Sequence, residues 1–206
     1  MRRFQKLLAL SAIALAVAAG AYLLVHRYRD ASQERVVASL ADQLFRSPTS
    51  FVAGNPQGDV TVVAFFDYNC PYCRQGVPDL AKLTQADPKV RLVLKELPVL
   101  GKDSEAASRI ALAAGRQGKY HQFYERMFAE PGHADKAKAL RVASELGLDT
   151  DRLEAEMDDE QITEVLLENT RLGKNIGVRG VPFYLVGDRP VGEGADLYGR
   201  LAVNVV

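Results

Sequence analysis

The only two cysteines of the 206-residue chain, Cys70 and Cys73, follow directly after the apolar run 61–66. Such a run predicts a buried strand, and a strand that ends in Cys-x-x-Cys places the first sulfur where the next helix begins. The unpaired N–H groups and the dipole of a helix N-terminus favour a thiolate. Cys70 is therefore the predicted nucleophile and Cys73 the predicted resolving thiol. Pro71 suits the first helical position, where its missing N–H would have no partner.

Two other uses of a cysteine pair are the alternatives to redox chemistry. A closed zinc site usually needs four ligands, and the three histidines of the chain show no metal-ligand spacing. A structural disulfide that closes so short a loop would constrain the unfolded chain little. The pattern therefore predicts a redox-active pair, with no metal and no cofactor.

The distribution of charge bears on both partners and location. Lys plus Arg and Asp plus Glu both number 26, so the chain gives no reason to expect nucleic-acid binding. Five of the basic residues but only one acidic residue lie within residues 1–30. The rest of the chain is thus a mildly acidic domain of ordinary size.

The N-terminal segment has the pattern of a targeting or anchoring element. Arg2, Arg3 and Lys6 precede the nineteen uncharged residues 7–25. As a helix this run would span about 28 Å, close to the hydrocarbon thickness of a bilayer. Small residues within it could instead form the cleavage site of a signal peptide. Because the apolar run continues past those residues and Tyr28 resembles an interfacial anchor, we favour an uncleaved membrane helix.

The charge bias also predicts an orientation. Positive charge is stronger before the apolar run than after it, so the rest of the chain is expected outside the cytoplasm. The predicted location is the periplasm or the extracytoplasmic face of the inner membrane, with residues 7–25 as the anchor. In an oxidising compartment, a lone Cys-x-x-Cys pair favours the making or reshuffling of disulfides.

The chain divides by pattern into three parts. Residues 1–29 are the anchor or signal peptide, 30–49 a helical stalk or linker, and 50–206 a folded domain. Apolar residues at helical spacing in the stalk favour a helix packed on the domain over self-association. The elements predicted within the domain are a short edge strand at 51–52, a strand at 61–66, a helix at 71–85, a strand at 90–97, helices throughout about 103–177 including one at 150–172, a strand at 182–186, an antiparallel return at Val191 and a terminal helix at 195–203.

This order matches a thioredoxin fold with a helical domain inserted before its second half. Four segments of the sequence carry a resemblance to the DsbA family of exported thiol–disulfide oxidoreductases, over about residues 50–204. They are the segment 54–63, which begins Gly-Asn-Pro, Phe-Phe-Asp-Tyr-Asn-Cys-Pro-Tyr-Cys at 65–73, Lys-Glu-Leu-Pro-Val-Leu-Gly at 95–101 and Gly-Val-Arg-Gly-Val-Pro-Phe at 177–183. The expected fold class is therefore α/β, thioredoxin-like with an all-helical insertion, preceded by the N-terminal transmembrane or signal helix.

The resemblance implies further roles for residues of the site. Pro182 is expected to be a cis-proline that faces the two sulfurs, although a trans proline at a strand start is the ordinary alternative. Backbone groups of Val181 are expected to pair with an extended substrate segment. Pro71 and Tyr72 form the active-site loop between the cysteines.

The resemblance also implies partners and a reaction. The substrates are expected to be exported proteins that contain cysteines, and a membrane redox partner would reoxidise the enzyme. We expect a net oxidant that introduces disulfides. An isomerase or a reductase of the same fold is the alternative, and a non-catalytic thiol metal chaperone or membrane-tethered holdase is an alternative of another class.

One position departs from the family pattern. Many relatives carry a buried acidic residue where this chain has Ala64, and that residue is thought to assist proton transfer from the resolving cysteine. Water, Lys95 or Glu96 could take this role, or nothing does; Lys95 and Glu96 could equally form a solvated strand end. Asp67 is expected to be structural and to cap the turn into the helix.

Overall fold

The chain forms two compact units, Met1–Ser39 and Leu40–Val206. The computed structural model describes residues 2–191 and 196–205, with only the backbone for 2–14, Ala16, Arg29, Asp30 and Asn204. The first unit is one continuous helix, α1 (Arg2–Ser39). Residues 30–39 of the predicted stalk therefore continue the N-terminal helix without a break.

Within the described residues, no helix is both long enough and apolar enough to cross a membrane. Much of the predicted anchor, namely residues 7–14 and Ala16, lies outside the residues whose side chains are described.

The second unit is built on a five-stranded sheet. Its strand order is β1-β3-β2-β4-β5, in which β2 and β3 are parallel and the other pairs are antiparallel. The elements are α2 (Ala41–Phe45), β1 (Phe51–Gly54), β2 (Val60–Phe66), α3 (Pro71–Ala86), β3 (Val90–Glu96), α4 (Lys102–Arg116), α5 (Tyr120–Ala129), α6 (Lys136–Glu145), α7 (Thr150–Glu156), α8 (Glu160–Asn175), β4 (Phe183–Val186), β5 (Arg189–Val191) and α9 (Leu197–Val205).

The strands agree with the pattern of the sequence. The parallel pair β2 and β3, joined through α3, confirms the predicted βαβ unit, and β1 is the predicted edge strand. Val62 to Phe66 are all buried, because β2 lies at the centre of the sheet and is covered on both faces. Both the strand and the turn into α3 are thus held rigidly behind the two cysteines.

The helices depart from the pattern at two places. The single helix predicted over 150–172 is wrong, because α7 ends at Glu156 and α8 begins at Glu160. The side chain of Asp159 caps the new helix by accepting a hydrogen bond from the N–H of Gln161 at 2.7 Å. The predicted terminal helix begins later than expected, at Leu197, and Ala195 lies outside the described residues.

The aromatic stripe of α5 packs in the core, as expected for apolar residues at helical spacing. Phe51 of the edge strand stacks on Tyr120, with ring centroids 3.6 Å apart and an interplanar angle of 6°. Gly115 of α4 makes room for this stack, since a Cβ atom there would lie 2.0 Å from the Phe51 ring. The edge strand β1 thereby packs closely against α4 and α5. The buried residues of the stripe are Tyr120, Phe123, Tyr124, Met127 and Phe128.

Candidate active site

The two cysteines lie at the start of α3, as the sequence predicts. Cys70 is the N-cap residue, with extended backbone angles of φ −80° and ψ 117°, and Pro71 is the first helical residue. The Cys70 sulfur accepts a hydrogen bond from the Cys73 N–H at 3.3 Å. The N-cap sulfur thus takes the place of the oxygen that usually satisfies a free N–H group at a helix start. Both cysteines are free thiols.

The turn that leads into the cysteines is fixed by Asp67. One carboxylate oxygen accepts from the N–H of Asn69 at 2.8 Å, and the other accepts from the N–H of Leu100 at 2.9 Å. The Cys70 N–H in turn donates to the Asp67 carbonyl at 3.0 Å. This agrees with the structural role expected for Asp67, and the contact with Leu100 adds a link to the loop after β3 that the sequence did not suggest.

The loop before β4 lies against the reactive pair. The Val181–Pro182 peptide bond is cis, as the resemblance implied. The Cys70 thiol donates a hydrogen bond to the Val181 carbonyl oxygen at 3.2 Å. The fold therefore brings Val181 next to Cys70, which precedes it by 111 positions in the chain. Tyr72, in the active-site loop, is 66% exposed beside them.

The two thiols differ in acidity because they differ in hydrogen bonding and burial. The hydrogen bond from the Cys73 thiol lowers the pKa of Cys70 to about 7, with help from the N–H groups of Cys73 and Tyr72 and against the effect of burial. Burial raises the pKa of Cys73 far above its ordinary value, and the hydrogen bond to Cys70 raises it further. Near neutral pH the thiolate of the pair is therefore on Cys70, the predicted nucleophile.

Lys95 and Glu96 are both buried, so the solvated strand end considered for them is wrong. Helices that follow β3 in the chain contact Glu96, and α2, which precedes it, contacts Lys95, an arrangement that local sequence does not reveal. The Lys95 ammonium donates to the carbonyl of Gln43 at 2.8 Å. Burial is the main cause that lowers the pKa of Lys95 to about 8.

Glu96 lies in a cluster of hydroxyl groups. Its carboxyl group accepts hydrogen bonds from Tyr68 at 3.0 Å, Tyr120 at 2.8 Å and Ser108 at 2.7 Å. Burial raises its pKa to about 8, and the three hydroxyl donors act in the opposite direction. These contacts fit a structural role for Glu96 and give no direct path to Cys73. Ala64 is itself buried in β2.

No group of three or more His, Cys, Asp or Glu side chains that could hold a metal ion occurs among the described residues. The chemistry that the site itself can offer is that of a nucleophilic thiolate beside a second thiol. A cofactor is not needed for exchange between thiols and disulfides.

A sheet whose central strand leads into Cys-x-x-Cys, opposite a cis-proline loop, defines a thioredoxin-like protein for thiol–disulfide exchange. The profile of the DSBA-like thioredoxin domain matches residues 61–204, and the chain belongs to this family. Membership of this family favours a thiol–disulfide oxidoreductase over the non-catalytic alternatives.

Two solved structures illustrate the relationship. A thioredoxin-like oxidoreductase from Silicibacter pomeroyi is 43% identical, with a TM-score of 0.77 over 80% of this chain and 94% of that one. The thiol–disulfide exchange protein alpha-DsbA2 from Wolbachia pipientis is 26% identical, with a TM-score of 0.79 over 86% of this chain and 96% of that one.

A third relative is a much longer protein. The Na⁺/H⁺ antiporter NhaA 1 of Salinispora arenicola is 30% identical over 140 residues, which make up 67% of this chain and 22% of the antiporter. The chain therefore spans about a fifth of the length of the curated relatives it matches.

The acidity difference predicts how the thiols react with an alkylating agent. We expect the rate of Cys70 alkylation by iodoacetamide to rise with an apparent pKa of about 7, and Cys73 to stay unmodified in the folded protein. Because the Cys70 pKa is lowered from its ordinary value of 9.0, the stabilisation of the reduced protein by the thiolate is complete above about pH 9 and is lost as the pH falls through about 7. Mass spectrometry of peptides after timed alkylation at pH 5 to 10 measures both rates.

Cys70→Ser is the matched control, since it leaves Cys73 as the single thiol. This variant should remain unmodified over the same range. Faster alkylation of Cys73 than of Cys70 in the wild type would contradict the assignment of the nucleophile.

Proposed function

We propose that this protein introduces disulfides into exported cysteine-containing proteins, with Cys70 as the nucleophile and Cys73 as the resolving thiol. One observation carries the proposal: the Cys70 sulfur lies at a helix N-terminus, next to the Cys73 N–H and 3.2 Å from the Val181 carbonyl oxygen. A thiolate at that place is both stabilised and aligned beside backbone groups that an extended peptide could pair with. Val181 and Pro182 are accordingly the proposed substrate-binding residues, and Pro71 and Tyr72 the active-site loop.

The reaction begins with the Cys70–Cys73 disulfide. A substrate thiolate attacks the Cys70 sulfur and forms a mixed disulfide, while the bond between the two cysteines breaks and its electron pair goes to Cys73, which takes up a proton. The raised pKa of Cys73 favours this protonated product. A second substrate thiolate then attacks the substrate's own sulfur in the mixed disulfide and releases Cys70 as a thiolate. The substrate has lost two electrons, and the enzyme has gained them.

Removal of the resolving thiol should arrest this cycle. We expect Cys73→Ala to accumulate mixed disulfides with substrates through Cys70, because the intramolecular escape route from the adduct is gone. Non-reducing gels of cells that make the variant at normal levels, followed by mass spectrometry of the adducts, measure the effect. Because the chain has no third cysteine, every adduct must pass through position 70.

The double variant Cys70→Ser/Cys73→Ala is the control and should form no adducts. If Cys73→Ala also forms none, thiol exchange through Cys70 is refuted.

The direction of exchange depends on how strongly the thiolate is stabilised. We propose a net oxidant, supported by a Cys70 pKa that is lowered from the ordinary value to about 7. The same value favours a second candidate, a reductase or isomerase, because thioredoxin, which is a reductant, has a similar cysteine pKa of about 7. The reduction potential separates the two candidates.

Equilibration with glutathione buffers at pH 7 provides that measurement. For an oxidant we expect a potential clearly more positive than the roughly −270 mV of thioredoxin, and a reduced form that resists urea better than the oxidised form. The advantage of the reduced form should grow from pH 7 to pH 9 as Cys70 ionises. A potential at or below that of thioredoxin would assign the protein to the reductases.

We also propose that residues 7–25 anchor the protein to the inner membrane, with the folded unit on the extracytoplasmic side and a membrane redox partner to reoxidise it. Nineteen uncharged residues behind three basic residues support this proposal. If the segment is an uncleaved anchor, the protein purified from the membrane fraction should have the intact mass of the full chain. A mature chain that begins near Ala19 or Tyr22 would contradict the anchor and identify a signal peptide.

A further inference from the structure

We propose that a pocket beside the cis-proline loop binds an acidic side chain next to an apolar one in the substrate segment that flanks the reacting cysteine. The inference rests on the function proposed above and adds a preference for one class of substrate sequence. The pocket has a volume of about 380 Å³. The residues that matter for its chemistry are Leu97, Val99, Lys174, Val178 and Arg179.

Two short stretches of chain connect the pocket with the surroundings of the reactive sulfur. Val99 precedes Leu100, whose N–H donates to the carboxylate of Asp67, in the turn that leads to the cysteines. Arg179 lies two residues before Val181, whose carbonyl oxygen is 3.2 Å from the Cys70 sulfur. Two extended residues span at most about 7 Å. A peptide held against Val181 can therefore place side chains two or three residues from its cysteine in the pocket.

Apolar groups form the floor of the pocket and part of its rim. Leu97 is buried, whereas Val99 is 53% exposed and its neighbour Leu100 is 52% exposed. Gly173, on the buried side of α8, lies against these apolar residues: a Cβ atom there would lie 3.5 Å from Val178 and 3.6 Å from Leu97. Exposed valine and leucine side chains beside a reactive thiol provide an apolar contact surface for an incoming segment.

The charge of the pocket is positive. Lys174, in the last turn of α8, and Arg179 are both exposed, and neither has an ion-pair partner among the described residues. Five arginines of the helical insertion do have ion-pair partners, as in the contact of Arg116 with Asp159 at 3.0 Å. Two unpaired cations beside an apolar floor complement a carboxylate next to an apolar side chain, and they would steer such a segment towards Cys70.

Three synthetic dithiol peptides test this preference. They share the same two cysteines and a leucine, and they carry Glu, Gln or Lys two residues on either side of the first cysteine. The measured quantity is the second-order rate constant with which each peptide reduces the oxidised wild-type protein, at low ionic strength and in 0.5 M salt. We expect the Glu peptide to react about five- to tenfold faster than the Gln peptide at low salt, and the difference to shrink at high salt.

The variant Lys174→Glu/Arg179→Glu should reverse the order, so that the Lys peptide reacts fastest. Lys89→Glu is the control: it makes the same kind of charge reversal on an exposed residue at the opposite end of the sheet, just before β3. That variant should keep the wild-type preference. Dithiothreitol, whose only ionisable groups are its thiols, should reduce all three proteins at similar rates.

The outcomes separate the preference from the function. If the three peptides react equally fast with the wild type and with the double variant, the pocket does not select acidic segments, although oxidation of the peptides still supports the proposed reaction. If Lys89→Glu changes the preference as much as the double variant does, the effect belongs to overall charge and the pocket is again excluded. If neither the peptides nor dithiothreitol reduce the Cys70–Cys73 pair, the proposed function itself fails.

Discussion

The carboxyl group of Glu96 joins the sheet to the helices that pack over it. This carboxyl group lies at the end of β3. It accepts hydrogen bonds from the hydroxyl groups of Ser108 in α4, Tyr120 in α5 and Tyr68 in the turn after β2. Its backbone carbonyl accepts from the side chain of Asn169 in α8 at 3.0 Å. A buried carboxyl group without donors would be strongly unfavourable, so these contacts depend on one another. The position of the helical insertion is thereby tied to the end of one strand.

The same contacts reach the reactive turn. Tyr68, which donates to Glu96, precedes Cys70 by two residues. Asn69, between them, accepts from the N–H of Ala134 at 2.7 Å and donates to Ser104 at 2.9 Å. With Asp67 bound to the N–H of Leu100, each residue of the turn before Cys70 is held by a different part of the fold. The hydrogen bonds of these three residues therefore fix the backbone that leads into the two cysteines.

Much of this arrangement could be predicted from the sequence, because its signals are local. The apolar run before Cys70 and the proline after it predict a strand, a turn and a helix start, and the structure has all three. The burial of Glu96 could not be predicted in this way, since it results from helices that lie 12 to 73 residues further along the chain. The size of the pKa shift of Cys70 could not be predicted from the sequence either. The helix N-terminus predicts a decrease in this pKa, but the opposing effect of burial depends on the whole fold.

Helix α2 has a consequence for where the folded unit begins. Lys95 donates to the carbonyl of Gln43 at 2.8 Å, and Arg91, on the same face of β3, donates to the carbonyl of Phe45. Leu44, between those two carbonyl groups, is fully buried. A recombinant fragment that starts at residue 50 would remove both acceptors and leave a buried ammonium group without its hydrogen bond. The shortest fragment that keeps this unit intact therefore starts no later than Leu40, eleven residues before the first strand begins at Phe51.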